Sequence, residues 1–234
     1  MYREGELASL ASFSNTLKLL KKDAHFNQFC TQHRVPKGTT QEITDDMKHV
    51  YLLESGYLSY TYAGKVGGGY FFITFPGSFA NLPISGNQVP MVGTLTALTD
   101  VVWWKIDVDF LRKMLFTEDP RNHIMLNFAL QTRYYLYLIV KKYHLTSEER
   151  VYFSLLRCTE SGIQVKDNQA ELPLFLTYDL LAQFSETSKS YTSRVLAELR
   201  NKGILQSSKK PWVITDVNYL RNLVDVGDDL RPLV

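Results

Sequence analysis

The stretch LTYDLLAQFSETSKSYTSRVLAELRNKG, residues 176–203, reads as two short helices joined by a polar turn. Thr177 is a hydroxyl N-cap ahead of Leu180, Leu181 and Phe184, which give the first helix one apolar face. Ser185-Glu186-Thr187 interrupts it. Ser188 then caps a second helix whose inward face is Thr192, Val195, Leu196 and Leu199, and Gly203 closes that helix just past its last turn. The first turn of the second helix is left polar by Lys189, Ser190, Ser193 and Arg194. A helix fits the major groove of duplex DNA and meets base edges with its N-terminal residues, so Lys189 and Arg194 are expected to donate to guanine O6 and N7.

The flanking sequence agrees. Between Thr187 and Thr215 the basic residues Lys189, Arg194, Arg200, Lys202, Lys209 and Lys210 face a single acid, Glu198, which makes the local field positive. Ile204-Leu205 and Trp212-Val213-Ile214 read as two short strands around Ser207-Ser208-Lys209-Lys210-Pro211, a wing that would hold Lys209 and Lys210 near phosphates. Ser188 and Ser193 are placed with them as phosphate contacts. The plain alternative is a helical hairpin with a solvated basic face. A different class is a small-molecule-binding or interaction protein whose basic helix contacts an acidic protein partner. Cap, turn, basic first turn and wing in this order favour double-stranded DNA.

A chain of 234 residues, 45% hydrophobic, can bury a core and is long enough for two domains. The net charge of +2 conceals a concentration of positive charge in one region. Residues 1–10 carry Arg3, Glu4 and Glu6 in place of a signal-peptide pattern, and no apolar run reaches the length of a membrane span, so a cytoplasmic protein is expected. Cys30 and Cys158 are too few for a cysteine-ligated cluster and are read as buried thiols.

Residues 6–24 show a helical period, Leu7, Leu10, Phe13, Leu17 and Leu20, interrupted by Ser12, Ser14 and Asn15, which predicts helix in two pieces. From residue 26 to residue 106 the texture becomes short Val, Tyr, Phe, Thr and Trp runs. Nine of the 13 glycines fall here and cut it into strand-length pieces. Strands are expected over 33–36, 40–43, 47–54, 56–62, 69–75, 93–97 and 101–106, forming an antiparallel sandwich or barrel. No nucleophile elbow, phosphate loop or metal-binding His pair occurs, so an enzyme is not expected. Gly67-Gly68-Gly69 reads as a hairpin turn.

Residues 121–145, RNHIMLNFALQTRYYLYLIVKKYHL, read as one long helix with apolar residues on more than one face. Asn127, Gln131, Arg133 and Lys141-Lys142 argue against a transmembrane helix. The expected partners are its own sandwich and the same helix of a second copy about a twofold axis, with Ile124, Phe128, Gln131, Tyr135 and Leu138 at the homodimer interface.

The order of parts resembles the Crp/Fnr family of bacterial transcription regulators from about Phe26 to Ile214. The most specific pieces are LTYDLLAQFSETSKSYTSRVLAELRNKGIL and Phe75-Pro76-Gly77-Ser78-Phe79. The resemblance implies an α+β fold: an antiparallel β-roll like a cyclic-nucleotide-binding domain (residues 1–120), a dimerisation helix (121–145) and a winged helix-turn-helix (146–234). It implies a homodimer on an inverted-repeat promoter site, and RNA polymerase as a partner if the protein activates. Lys189, Ser190 and Arg194 fall at the family's three base-reading positions, Arg194 keeping the family's arginine and Lys189 and Ser190 departing from the arginine and glutamate of well-known members. Thr177 falls at a phosphate contact.

The roll departs from cyclic-nucleotide-binding members. A buried cyclic phosphate needs a cation, yet Asp100 is the only charged residue between Lys65 and Lys105, and that segment has no histidine. Control by cyclic AMP or cyclic GMP is therefore not expected. Two cysteines cannot hold the iron-sulfur cluster of oxygen-sensing members, and His25, Cys30, His33 and His49 are read as surface or core residues and not as haem ligands. No cofactor or metal is expected. The aromatic roll is left for a neutral or apolar effector, with Phe79, Asn81, Leu82 and Met91 lining its pocket, or for none.

Overall fold

The computed structural model describes residues 2–3, 5–44, 48–62, 71–82, 93–206 and 209–224. The chain divides into two compact units with the boundary between Tyr134 and Tyr135, inside the long helix. The sequence expectation instead set residues 121–145 apart as a segment of their own.

In the first unit, helices α1 (Glu6–Leu10), α2 (Phe13–Leu20) and α3 (Phe26–Phe29) precede strands β1 (Cys30–Val35), β2 (Thr40–Ile43), β3 (His49–Ser55), β4 (Leu58–Tyr62), β5 (Phe71–Thr74), β6 (Gly93–Ala97) and β7 (Val101–Asp107). Ser12 breaks the N-terminal helix into its two expected pieces by capping α2, its hydroxyl accepting from Asn15 N. The strand texture was expected from Phe26, but residues 26–29 make one helical turn first. Two antiparallel sheets form, ordered β1-β7-β3 and β2-β6-β4-β5.

β3 is buried on both faces, and its alternation separates two cores. Tyr51 and Leu53 join Val35, Ile43, Leu58, Tyr60, Leu95, Ala97, Val101 and Trp103 between the sheets. Val50 and Leu52 turn the other way, with Ile106, toward Leu20, Phe26 and the helix that follows β7. That helix, α4 (Val108–Glu118), starts where Asp107 accepts from Phe110 N at 2.9 Å, and contributes Phe110, Leu111, Met114 and Leu115 to the core. Residues 77–80 run beside β3, Gly77 N donating to Leu53 O and Ala80 N to Tyr51 O, with Gly77 at φ 88° where a side chain would be strained.

Helix α5 (His123–Tyr143) is the expected long helix. Asp119 starts it, accepting from Ile124 N at 2.9 Å. The stripe expected to meet a second copy is the one turned into the chain. Ile124 is 4% and Leu138 5% exposed, Phe128 packs on the first unit's helical core, and Gln131 and Tyr135 are half-buried. The exposed apolar residues of α5 are Leu126, Leu130, Leu136, Tyr137, Val140 and Tyr143. Both stripes are apolar in sequence, so periodicity alone did not tell them apart.

The second unit continues with α6 (Ser147–Thr159), β8 (Ile163–Lys166), β9 (Gln169–Glu171), α7 (Tyr178–Ser185), α8 (Lys189–Asn201), β10 (Leu205–Gln206), β11 (Val213–Ile214) and α9 (Val217–Val224). A capping box starts α6: Thr146 Oγ1 accepts from Glu149 N while Glu149 Oε2 accepts from Thr146 N at 2.7 Å. Val151, Phe153, Leu155 and Leu156 of α6 are buried along with Leu181, Val195, Leu196, Leu199 and Leu220. The wing is part of a four-stranded sheet, β10-β11-β9-β8, of which β8 and β9 were not anticipated from the sequence. Among the described residues no helix is long and apolar enough to cross a membrane.

Candidate nucleic-acid interface

α7 and α8 are capped as their sequence requires. Thr177 Oγ1 accepts from Leu180 N at 3.0 Å, and Ser188 Oγ accepts from Tyr191 N at 3.2 Å. The corner between them holds Glu186 in the left-handed region at φ 52°. Thr192, Val195, Leu196 and Leu199 are all buried. Burying the Thr192 hydroxyl would be costly alone, but it lies 2.8 Å from Thr187 Oγ1, which lies 2.9 Å from the buried Ser185 hydroxyl. This chain of hydroxyls ties the corner to α8 and explains why the turn is built from Ser and Thr.

With that face spent on packing, Lys189, Ser190, Ser193 and Arg194 are exposed together, and Thr177 and Ser188 are exposed at the two caps. The Arg194 guanidinium lies 4.6 Å from the centroid of the Tyr191 ring, one turn earlier on α8, which holds the fork over an aromatic face. Lys189 Nζ donates to Asp179 Oδ2 at 2.8 Å, an acid from the first turn of α7 that a charge count over residues 187–215 leaves out. On the wing, Lys209 and Lys210 are exposed, and Lys210 Nζ donates to Leu174 O at 2.9 Å. Arg200 is not part of the exposed set. Its guanidinium lies over Tyr178 and Trp212, whose rings meet edge to face at 5.0 Å beneath the wing.

Of the residues expected to line an effector pocket, three are described. Asn81 is buried with Oδ1 accepting from Tyr51 N at 3.2 Å, Phe79 bridges to Leu52 on β3, and Leu82 belongs to the helical core. Met91 lies outside the described residues, as do Lys65, Gly67-Gly68-Gly69 and Ser207-Ser208. Leu82 also borders a hollow of about 200 Å³ formed with Val108, Leu111, Leu115, Phe116 and Met125. Cys30 and Cys158 are buried, and burial pushes each thiol up to about 12. Among the described residues no three His, Cys, Asp or Glu side chains are grouped to hold a metal ion.

Two capped helices packed at a tight corner, with a polar N-terminal turn exposed and a wing behind, match a known family over residues 149–223. The family model that this segment matches is the Crp-like helix-turn-helix domain. Around the Crp-like domain, the fold of the chain is also shared with solved structures. A cyclic nucleotide-binding domain containing protein from Listeria monocytogenes EGD-e is 20% identical, covering 88% of this chain and 98% of its own, with a TM-score of 0.72. FixK2 from Bradyrhizobium japonicum is 17% identical over 83% of this chain and 96% of its own, with a TM-score of 0.69. A transcriptional regulator of the CRP/FNR family from Thermus thermophilus is 17% identical over 83% and 98%, with a TM-score of 0.58. No curated protein sequence matches the chain. The resemblance to the Crp/Fnr regulators, drawn from the order of parts, is borne out by the Crp-like domain and by the shared fold.

Proposed function

We propose that the chain is a sequence-specific transcription regulator of the Crp/Fnr type that binds an inverted-repeat DNA site as a homodimer. The observation that carries this is the exposed first turn of α8, where Lys189, Ser190 and Arg194 stand clear of packing beside the Thr177 and Ser188 caps. Arg194 and Lys189 read bases; Thr177, Ser188, Ser193, Lys209 and Lys210 anchor the phosphates.

The dimer seam is the exposed stripe of α5. Leu126, Ala129, Arg133, Leu136, Val140 and Tyr143 alternate in steps of three and four, the spacing of a coiled-coil seam, and Leu130 and Tyr137 widen it. Leaving so much apolar side chain in water is unfavourable, at about 25 cal/mol per Å². A second copy of the same helix covers it about a twofold axis.

Genome-wide selection of duplexes bound by the purified protein should recover an inverted repeat with half-sites roughly one helical turn, about 34 Å, apart. Recovery of single sites or direct repeats would refute the symmetric reading. Cyclic nucleotides are not the effector, because the strand region offers one charged side chain, Asp100, between Lys65 and Lys105. Calorimetry with cyclic AMP and cyclic GMP should show no binding, and micromolar affinity would overturn that part.

A further inference from the structure

Lys189 is the first residue of α8, and Asp179 lies in the first turn of α7. They meet at 2.8 Å with both side chains 63% exposed. An exposed ion pair adds little to stability, since water solvates its charges nearly as well as they solvate each other. What distinguishes this pair is its place: the carboxylate is bonded to the first residue of α8, the helix that also exposes Ser190, Ser193 and Arg194, donors suited to an anion. Duplex DNA presents one negative charge per about 1.7 Å of its axis. Alone, the Asp179 carboxylate would oppose binding; paired, it governs what Lys189 is free to do.

We propose that Asp179 is a specificity-determining positioning residue of the DNA-reading surface, holding Lys189 in a pair that opens for guanine and stays closed elsewhere. This rests on the reading of α8 as the recognition helix. Guanine offers O6 and N7 side by side in the major groove, two acceptors that replace the carboxylate for an ammonium. Adenine places an amino donor where guanine has O6, and leaves the ammonium better served by Asp179. Held this way, Lys189 is also withheld from the nearest phosphate, so indiscriminate binding loses a cation.

The test titrates the selected duplex, its single-base variants and a scrambled duplex at several salt concentrations. The proteins are the full chain, Asp179→Asn, Lys189→Ala and the double variant. Asp179→Asn should raise affinity for the scrambled duplex about three- to tenfold, steepen the salt dependence by about one unit, and flatten discrimination at one position of each half-site. Asp179→Glu should restore the discrimination. In the Lys189→Ala background, Asp179→Asn should leave base preference unchanged. An equal gain in affinity with and without Lys189 would overturn the proposal, because Asp179 would then act only as a repelling charge. An acid in the first turn of a helix also favours the helix dipole; if Asp179→Asn lowers thermal stability and leaves base preference intact, that is its whole role and the proposal fails. If the unmodified chain selects no duplex at all, the reading of α8 fails instead, and this inference with it.

Discussion

The ammonium of Lys142, in the last turn of α5, donates to the Phe184 carbonyl at 2.6 Å and to Glu186 Oε1 at 2.8 Å, bracketing the corner where α7 gives way to α8. Glu186 is one of the few non-glycine residues at positive φ, so the corner adopts a backbone most side chains resist, and Lys142 binds both sides of it. Burial lowers the Lys142 pKa, and its bond to Glu186 opposes that shift. Lys142→Met keeps the aliphatic stem and removes both bonds. It should cost about 1–3 kcal/mol, seen as a lower urea midpoint for the C-terminal unit. A variant as stable as its parent would reduce the pair to a solvated contact.

The two stripes of α5 respond differently to charge. Leu136 and Val140 are 59% and 51% exposed, so glutamates there should leave the fold intact and give monomers in sedimentation velocity at micromolar concentration. Leu138→Glu places a charge at a position 5% exposed and should destabilise the fold by several kcal/mol. Dimers that survive the Leu136→Glu, Val140→Glu double change would move the seam to another surface.

Much of this architecture is legible without coordinates because it is local. The Thr177 and Ser188 caps, the Ser185-Glu186-Thr187 break and the inward Thr192, Val195, Leu196 and Leu199 each follow from spacing within one turn. Two-residue wing strands were also marked by the turn between them. β8 escaped notice although Ile163-Gln164-Val165-Lys166 alternates apolar and polar, because four residues are a short signal; in the fold all four are exposed. The facing of α5 was illegible because both of its stripes are apolar, and only packing decides which stripe the chain covers. The partners of Lys189 and Lys210, Asp179 and Leu174 O, are 10 and 36 residues away in sequence and depend on how α7 and the wing come together.

Stability should carry a signature of Glu160, which sits beside Arg157 at the end of α6, both nearly covered. Burial pushes the Glu160 carboxyl up to about 7 from its ordinary 4.5, against the pull of the guanidinium. Its folded pKa is the raised one, so the folded state keeps a proton that the unfolded chain gives up. The contribution is therefore full below pH 4.5 and lost as pH rises through about 7. A Glu160→Gln variant should lack that decline, by an amount on the order of 3 kcal/mol across the window. Asp23 and Asp216 have lowered values and act at more acidic pH, where both proteins share them. Chemical denaturation at half-unit pH steps compares the two, and parallel curves from pH 4.5 to 7 would show that folding does not raise the Glu160 carboxyl.

Reading and anchoring should separate by salt. Arg194 is exposed on α8 with its guanidinium held over Tyr191, where it can make two hydrogen bonds to a guanine edge. Arg194→Ala should cost about 1–3 kcal/mol at the selected site and flatten discrimination at one position of each half-site. Lys209 stands on the wing, and its replacement by Ala should weaken selected and scrambled duplexes alike while reducing the salt dependence by about one unit. Lys210 shares its ammonium with the Leu174 carbonyl, so Lys210→Ala should also loosen the wing against residue 174. Titrations of all three variants on both duplexes at several salt concentrations decide the matter. If Arg194→Ala weakens both duplexes equally while the wing variants relax base preference, reading belongs to the wing and anchoring to α8.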